Sequence, residues 1–206
     1  MSIEKSNTPI KQFRDRFRWL AFEAFLNSDG YGFQLYFPKK HRTTNHELSI
    51  VFQHVFGSFL NKMEISLLEP QIGGGGWGDF CLDTWNFEED TYDYDPRGKS
   101  RSTASYLKML QASNIEPSYN GLCRCNDWDH FLSVTVACVM NHKAPYSFYF
   151  YCLPHQFIFY FHHTRSFGVY YHRFNEAIMK IFNGARANKL ELYNWNDKDS
   201  IALLSV

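Results

Sequence analysis

Asp127, Asp129 and His130 lie within four residues of one another at the start of a long apolar stretch, 126–141. If a helix begins there, Asp127 and His130 at i, i+3 share a face and make an acid–base pair of the kind a small hydrolase uses. The same residues also suit an N-terminal cap and an acidic first turn, which the helix dipole favours. His162 and His163 fall in an aromatic run that reads as a strand, so their side chains point to opposite faces and cannot serve one site together. A single strand histidine is the second candidate base. Cys123 and Cys125 offer two thiolates, with His155, His162, His163 or His172 to complete a zinc site. Their C-x-C spacing is not the usual C-x₂₋₄-C, and no second clear pair accompanies it. They read as two thiols beside a helix start.

Three further motifs fail on their own chemistry. Gly73 to Gly78 matches G-x-G-x-x-G, but a dinucleotide loop joins a strand to a helix whose N-terminus binds pyrophosphate. Here an acidic, Trp-containing stretch follows, and a dense set of carboxylates repels phosphate. Gly98-Lys99-Ser100 resembles the end of a P-loop, yet the required first glycine falls on Asp93. Asp93 to Gly98 resembles the start of an EF-hand, but Arg97 occupies a ligand position and Ala104 stands where the bidentate Glu is needed. There is no G-x-S-x-G elbow and no H-E-x-x-H. No catalytic residue, metal ligand or cofactor is assigned on this basis.

What remains is a charge pattern. Residues 73–95 hold seven carboxylates, Asp79, Asp83, Glu88, Glu89, Asp90, Asp93 and Asp95, and no Lys or Arg. Trp77, Phe80, Trp85, Phe87, Tyr92 and Tyr94 are interleaved with them. The chain is neutral overall because it carries +2 before residue 72 and +5 after residue 95. A concentrated negative field steers encounter with a positive partner, and Trp and Tyr are the usual anchors of binding energy. The expected partner-binding residues are therefore Trp77, Asp79, Asp83, Trp85, Glu88, Glu89, Asp90, Tyr92, Asp93, Tyr94 and Asp95. The expected partner is a basic protein, for instance a nuclease whose phosphate-binding cleft the acidic surface would occupy. In type, a neutral α+β inhibitor of this kind resembles the bacterial toxin immunity proteins. A solvated acidic loop is the competing reading of the same residues.

The aromatic strands also invite comparison with base-stacking platforms. Between residues 145 and 172, however, Arg165 is the single Lys or Arg, so phosphates would lack partners and direct nucleic-acid binding is not expected. An aromatic core, or strands that meet across a sheet edge in an oligomeric structural protein, accounts for them better. Five cysteines without a framework, no apolar leader at the start and no run of 18 apolar residues point to a reducing, cytoplasmic setting.

The elements that would position these residues follow from periodicity. Thr8 with Pro9 opens a helix over 8–27, with Ile10, Phe13, Phe17, Leu20 and Ala24 on one stripe. Residues 31–37 alternate as a strand. Thr44-Asn45-His46-Glu47 is a capping box before a second helix, and 62–68 alternates as another strand. A third helix spans about 102–113. Residues 126–141 are ambiguous: Leu132, Val134, Val136, Cys138 and Met140 alternate like a strand, but Asn126-Asp127 offers an N-cap, the run is long and Pro145 follows, which favours a buried helix. SFYFYC, FIFYFHH and GVYY are three short antiparallel strands. A last helix begins near Phe174 and ends near Asn183-Gly184, followed by a strand over 190–195. The sum is an α+β fold, an antiparallel aromatic-rich sheet of about four to six strands packed with about five helices. It forms a single domain over 1–206, with an irregular Gly-rich, acidic insertion at about 70–100.

Overall fold

The structure is a computed structural model that describes residues 2–21, 29–38, 43–66, 83–86, 88–117, 119, 121–140, 149–162 and 165–194. In chain order these form β1 (Ile3–Lys5), α1 (Ile10–Arg16), β2 (Tyr31–Tyr36), α2 (Asn45–Phe56), β3 (Met63–Ser66), β4 (Trp85–Asn86) and β5 (Thr91–Tyr92). Then follow α3 (Arg101–Ala112), β6 (Leu122–Cys125), α4 (Trp128–Met140), β7 (Tyr149–Cys152), β8 (Phe157–His162), β9 (Ser166–Tyr171), α5 (Glu176–Ala187) and β10 (Glu191–Asn194). Two 3₁₀ turns, Gly57–Lys62 and Leu153–His155, lead into β3 and β8.

The expected three-stranded meander is the centre of an α+β fold. Short connections force β7, β8 and β9 to be antiparallel neighbours, and the sheet grows outward from them in the order β1-β6-β3-β7-β8-β9-β2-β10. Every pairing in it is antiparallel. The eight strands exceed the expected four to six because β1 and β6 join the sheet. These have three and four residues, too few to show alternation, and β6 is the segment read as thiols beside a helix start. The five α-helices among the described residues agree with the expectation. None of them is long and apolar enough to cross a membrane.

Side chains alternate across a strand, so the register divides the sheet into two faces of different chemistry. On one face Phe33, Leu35, Met63, Ile65, Cys123, Phe150, Phe157, Phe159, Phe161 and Phe167 pack under the helices. Helix α2 lies centrally in that layer, against α4 on one side and α5 on the other, with α3 beyond α4. Phe52 of α2 is fully buried, and its ring centroid lies within 5.0–6.1 Å of Phe56, Trp128, Phe150, Phe159, Phe161 and Phe167. The other face carries Tyr149, Tyr151, Ile158, Tyr160 and Tyr170, covered by Phe17, Trp19 and Leu20. Tyr160 lies across Gly168, its cross-strand neighbour, and any Cβ at Gly168 would overlap the phenol ring.

Three helix ends differ from expectation for identifiable reasons. Helix α1 is capped by Pro9 without a side-chain bond and stops at Arg16, because Thr8 turns its hydroxyl to Glu64 and Phe17 to Leu20 fold onto the tyrosine face. Helix α5 passes through Gly184 to Ala187. That glycine serves close approach rather than termination: its Cβ would lie 3.1 Å from the Cα of Val55 in α2. The capping box at Thr44 and Glu47 forms as expected, with both reciprocal bonds present.

Replacing Phe52 by Ala removes the ring that touches both α4 and three strands. It should cost about 3–5 kcal/mol, since the surrounding rings cannot all collapse into the gap. Urea denaturation followed by far-UV circular dichroism measures this, and a loss below about 1 kcal/mol would show that the helix layer is held elsewhere.

Candidate functional site

Local chemistry shapes the described part of the acidic segment, which begins at Asp83. Strands β4 and β5 form a two-rung hairpin, with Trp85 opposite Tyr92 and Asn86 opposite Thr91. The Asp93 amide donates to the Thr84 carbonyl at 2.7 Å and closes its base. At the other end the Asn86 side chain accepts from the Glu88 amide at 3.0 Å and the Glu89 amide at 3.4 Å, an Asx turn. Asp90 completes the reversal with φ 52°, a left-handed conformation that Asp tolerates better than most residues. The Trp85 and Tyr92 rings meet edge to face at 4.7 Å, and Tyr92 stacks on Tyr94 at 5.7 Å.

The carboxylates divide into two groups. Asp83 joins the hairpin to α3. It accepts from the Ser100 amide at 2.7 Å and from the Thr103 hydroxyl, where Ser100 is the N-cap of that helix. A carboxylate at a helix N-terminus is favoured by the dipole as well as by these donors. Asp93 pairs with the half-sheltered Lys99 at 2.7 Å and accepts from the Asp95 amide at 2.9 Å. Asp95 accepts from the Arg97 amide at 2.9 Å and from its guanidinium. The Lys99 bond holds the Asp93 carboxyl below its ordinary range, and the Arg97 bond lowers Asp95 to about 2. Thus the residues that resemble an EF-hand start already hold cations of the protein's own.

Glu88, Glu89 and Asp90 form the second group. They are exposed at the hairpin tip and make no ion pair among the described residues. Tyr92 is 37% exposed, while Trp85 and Tyr94 are half-buried. The tip therefore presents three negative charges beside an aromatic ladder. Trp77 and Asp79, the remaining expected residues, lie outside the described residues, as does the Gly73–Gly78 run.

The acid–base candidates have structural uses. Asp127 accepts from the His130 amide at 3.0 Å and so caps α4, and Asp129 accepts from the Gln53 side chain at 2.7 Å. All three are exposed. His162 ends β8 opposite Ser166, and His163 lies outside the described residues. Burial pushes the thiols of Cys123, Cys125, Cys138 and Cys152 up to about 12, which leaves them protonated and unreactive at neutral pH. Among the described residues no three His, Cys, Asp or Glu side chains converge as metal ligands.

One arrangement escapes the sequence. A cleft of about 460 Å³ opens where β7 ends, β8 begins and β9 runs into α5. Lys62, His155, His172, Arg173 and Lys180 line it. No spacing signals the group, because sheet register and a 3₁₀ turn bring its members together.

No family model matches the chain, and no curated protein and no solved structure matches it.

Replacing Asp83 by Ala should loosen the hairpin from α3 and cost about 1–2 kcal/mol, the usual worth of a cap and its buried bonds. Hydrogen exchange should accelerate over 84–100 while the β7–β9 amides stay protected. Unchanged exchange in the hairpin would show that the Asp83 bonds do not hold it.

Proposed function

We propose that this chain is a non-catalytic protein-binding protein, an inhibitor of a basic partner in the manner of the bacterial toxin immunity proteins, acting in the cytoplasm through its acidic-aromatic hairpin. The observation that carries this reading is the triplet Glu88, Glu89 and Asp90, exposed and without an ion pair among the described residues, on a hairpin joined to α3 by Asp83. The aromatic ladder Trp85, Tyr92 and Tyr94 runs back from that triplet. A tip held in place loses less conformational entropy on binding than a solvated loop would. The charges would speed encounter with Lys- and Arg-rich surfaces, and the rings would set the residence time. Trp77 and Asp79 belong to the same proposed surface by sequence.

In this arrangement Asp83, Asp93 and Asp95 act differently from the residues at the tip. Asp93 and Asp95 are paired with Lys99 and Arg97, and Asp83 is hydrogen-bonded to the start of α3, so all three shape the hairpin. A nuclease-type toxin is the natural class of partner, since a phosphate-binding cleft is complementary to three clustered carboxylates.

Wild-type protein and a Glu88→Lys/Glu89→Lys/Asp90→Lys variant, each immobilised, should differ in what they retain. The wild type should capture a basic protein whose association rate falls steeply with salt, and the variant should associate about 10-fold more slowly at low ionic strength. Trp85→Ala should instead raise the dissociation rate. The same partners captured with the same rates on the charge-reversed protein would overturn the proposal.

A further inference from the structure

The basic cleft is built from parts that each have a defined local role. The 3₁₀ turn Leu153–His155 ends at Gln156, which takes a left-handed conformation. Both polar ends of the Gln156 side chain are used: its oxygen accepts from the Trp19 indole at 3.0 Å and its amide donates to the Leu153 carbonyl at 2.9 Å. The His172 amide donates to the Gln156 carbonyl at 3.2 Å, and the His172 ring stacks on Trp19 at 5.6 Å with 6° between planes. Asn175 caps α5 through its oxygen and ties that helix to the turn by donating to the His155 carbonyl at 3.1 Å. The amides and the helix N-terminus are thus occupied, and they form the frame of the cleft.

Lys62, Arg173 and Lys180 line the cleft and make no ion pair among the described residues. Glu176 is the one carboxylate in the lining, so the fixed charge of the wall is +2. His155 packs edge to face on Phe59 at 5.4 Å. Burial first, and then Lys62 and Lys180, hold its imidazole below the ordinary histidine range. Both ammonium groups thus lie close enough to act on the His155 ring. His172 faces Asp29 at 3.8 Å.

We infer that this cleft binds a small phosphate ester, with Lys62, Arg173 and Lys180 on the phosphate. The wall charge of +2 matches a phosphate dianion better than a single carboxylate, and Arg provides the fork that phosphate oxygens favour. A volume of about 460 Å³ exceeds what phosphate alone fills and lies in the range of small-molecule sites. The surplus, against Phe59 and Ala177, takes the organic part of the ester. This site is independent of the acidic hairpin and does not rest on a protein partner.

The full chain titrated with inorganic phosphate, phenyl phosphate, acetate and a short single-stranded oligonucleotide, followed by histidine NMR resonances and calorimetry, tests it. Phenyl phosphate should saturate with a Kd on the order of 1 mM or tighter and bind better than phosphate. It should raise the midpoint of His155, since by linkage an anion that favours the protonated ring is itself bound more tightly by it. Lys62→Gln/Lys180→Gln, at exposed positions, should weaken binding about 10-fold and leave the melting temperature within a few degrees. Absence of saturation by phenyl phosphate, equal binding of acetate, or affinity unchanged in the double variant would each overturn the inference. An oligonucleotide that binds far more tightly than phenyl phosphate would replace it with a nucleic-acid surface.

Discussion

Phe52 is the ring on which the helix layer turns. Eight antiparallel strands present a broad apolar face, and an uncovered face of that kind cannot persist in water. Helix α2 lies centrally over it and reaches α4 through Trp128 and the strands through Phe150, Phe159, Phe161 and Phe167. Flat rings meeting edge to face or offset fill this space densely and fix the rotation of α2 about its axis. That rotation in turn dictates the α5 contact, where Gly184 lets the two backbones approach. A side chain at Gly184 would press on Val55 and push α5 away from α2, and with it one wall of the basic cleft.

The acidic hairpin depends on the same layer at one remove. Asp83 binds the first turn of α3, and α3 packs on α4, which in turn packs on α2. The hairpin itself has two rungs and would not be stable alone. Its rigidity is lent by Asp83 at one strand and by the Asp93–Lys99 and Asp95–Arg97 pairs at the other. Surface pairs of this sort are individually weak, so their value lies in the backbone amides that Asp93 and Asp95 also accept.

How much of this is legible in the sequence depends on the range of the interaction. The Thr44–Glu47 capping box and the three central strands are local patterns with one physical reading each and appear where expected, whereas 126–141 alternates like a strand and is a helix over Trp128–Met140. The short strands β1 and β6 are not legible: a segment such as Leu122–Cys125 becomes a strand because β1 and β3 flank it. Thr8 is a good cap by type, yet Glu64, 56 residues away, takes its hydroxyl. The acidic run shows its charge in the sequence but not its division of labour, since neither the Asp83 bond to α3 nor the lone triplet at the tip is a matter of composition. The cleft is hidden most completely, because His155 and His172 become neighbours through the β8–β9 hairpin and Lys62 arrives from another strand's lead-in.

The neutral formal charge therefore conceals two opposite local fields built on different principles. The negative one is made by crowding carboxylates in sequence and then pairing Asp93 with Lys99 and Asp95 with Arg97, which leaves Glu88, Glu89 and Asp90 at the tip. The positive one is made by topology, from cations that are far apart in sequence and individually unremarkable. Each field needs the other's absence nearby, since a carboxylate cluster within a Debye length would quench the cleft and the reverse would blunt steering by the tip. A chain that carries both must hold them on different elements of a rigid frame, and the aromatic interface between sheet and helices is that frame.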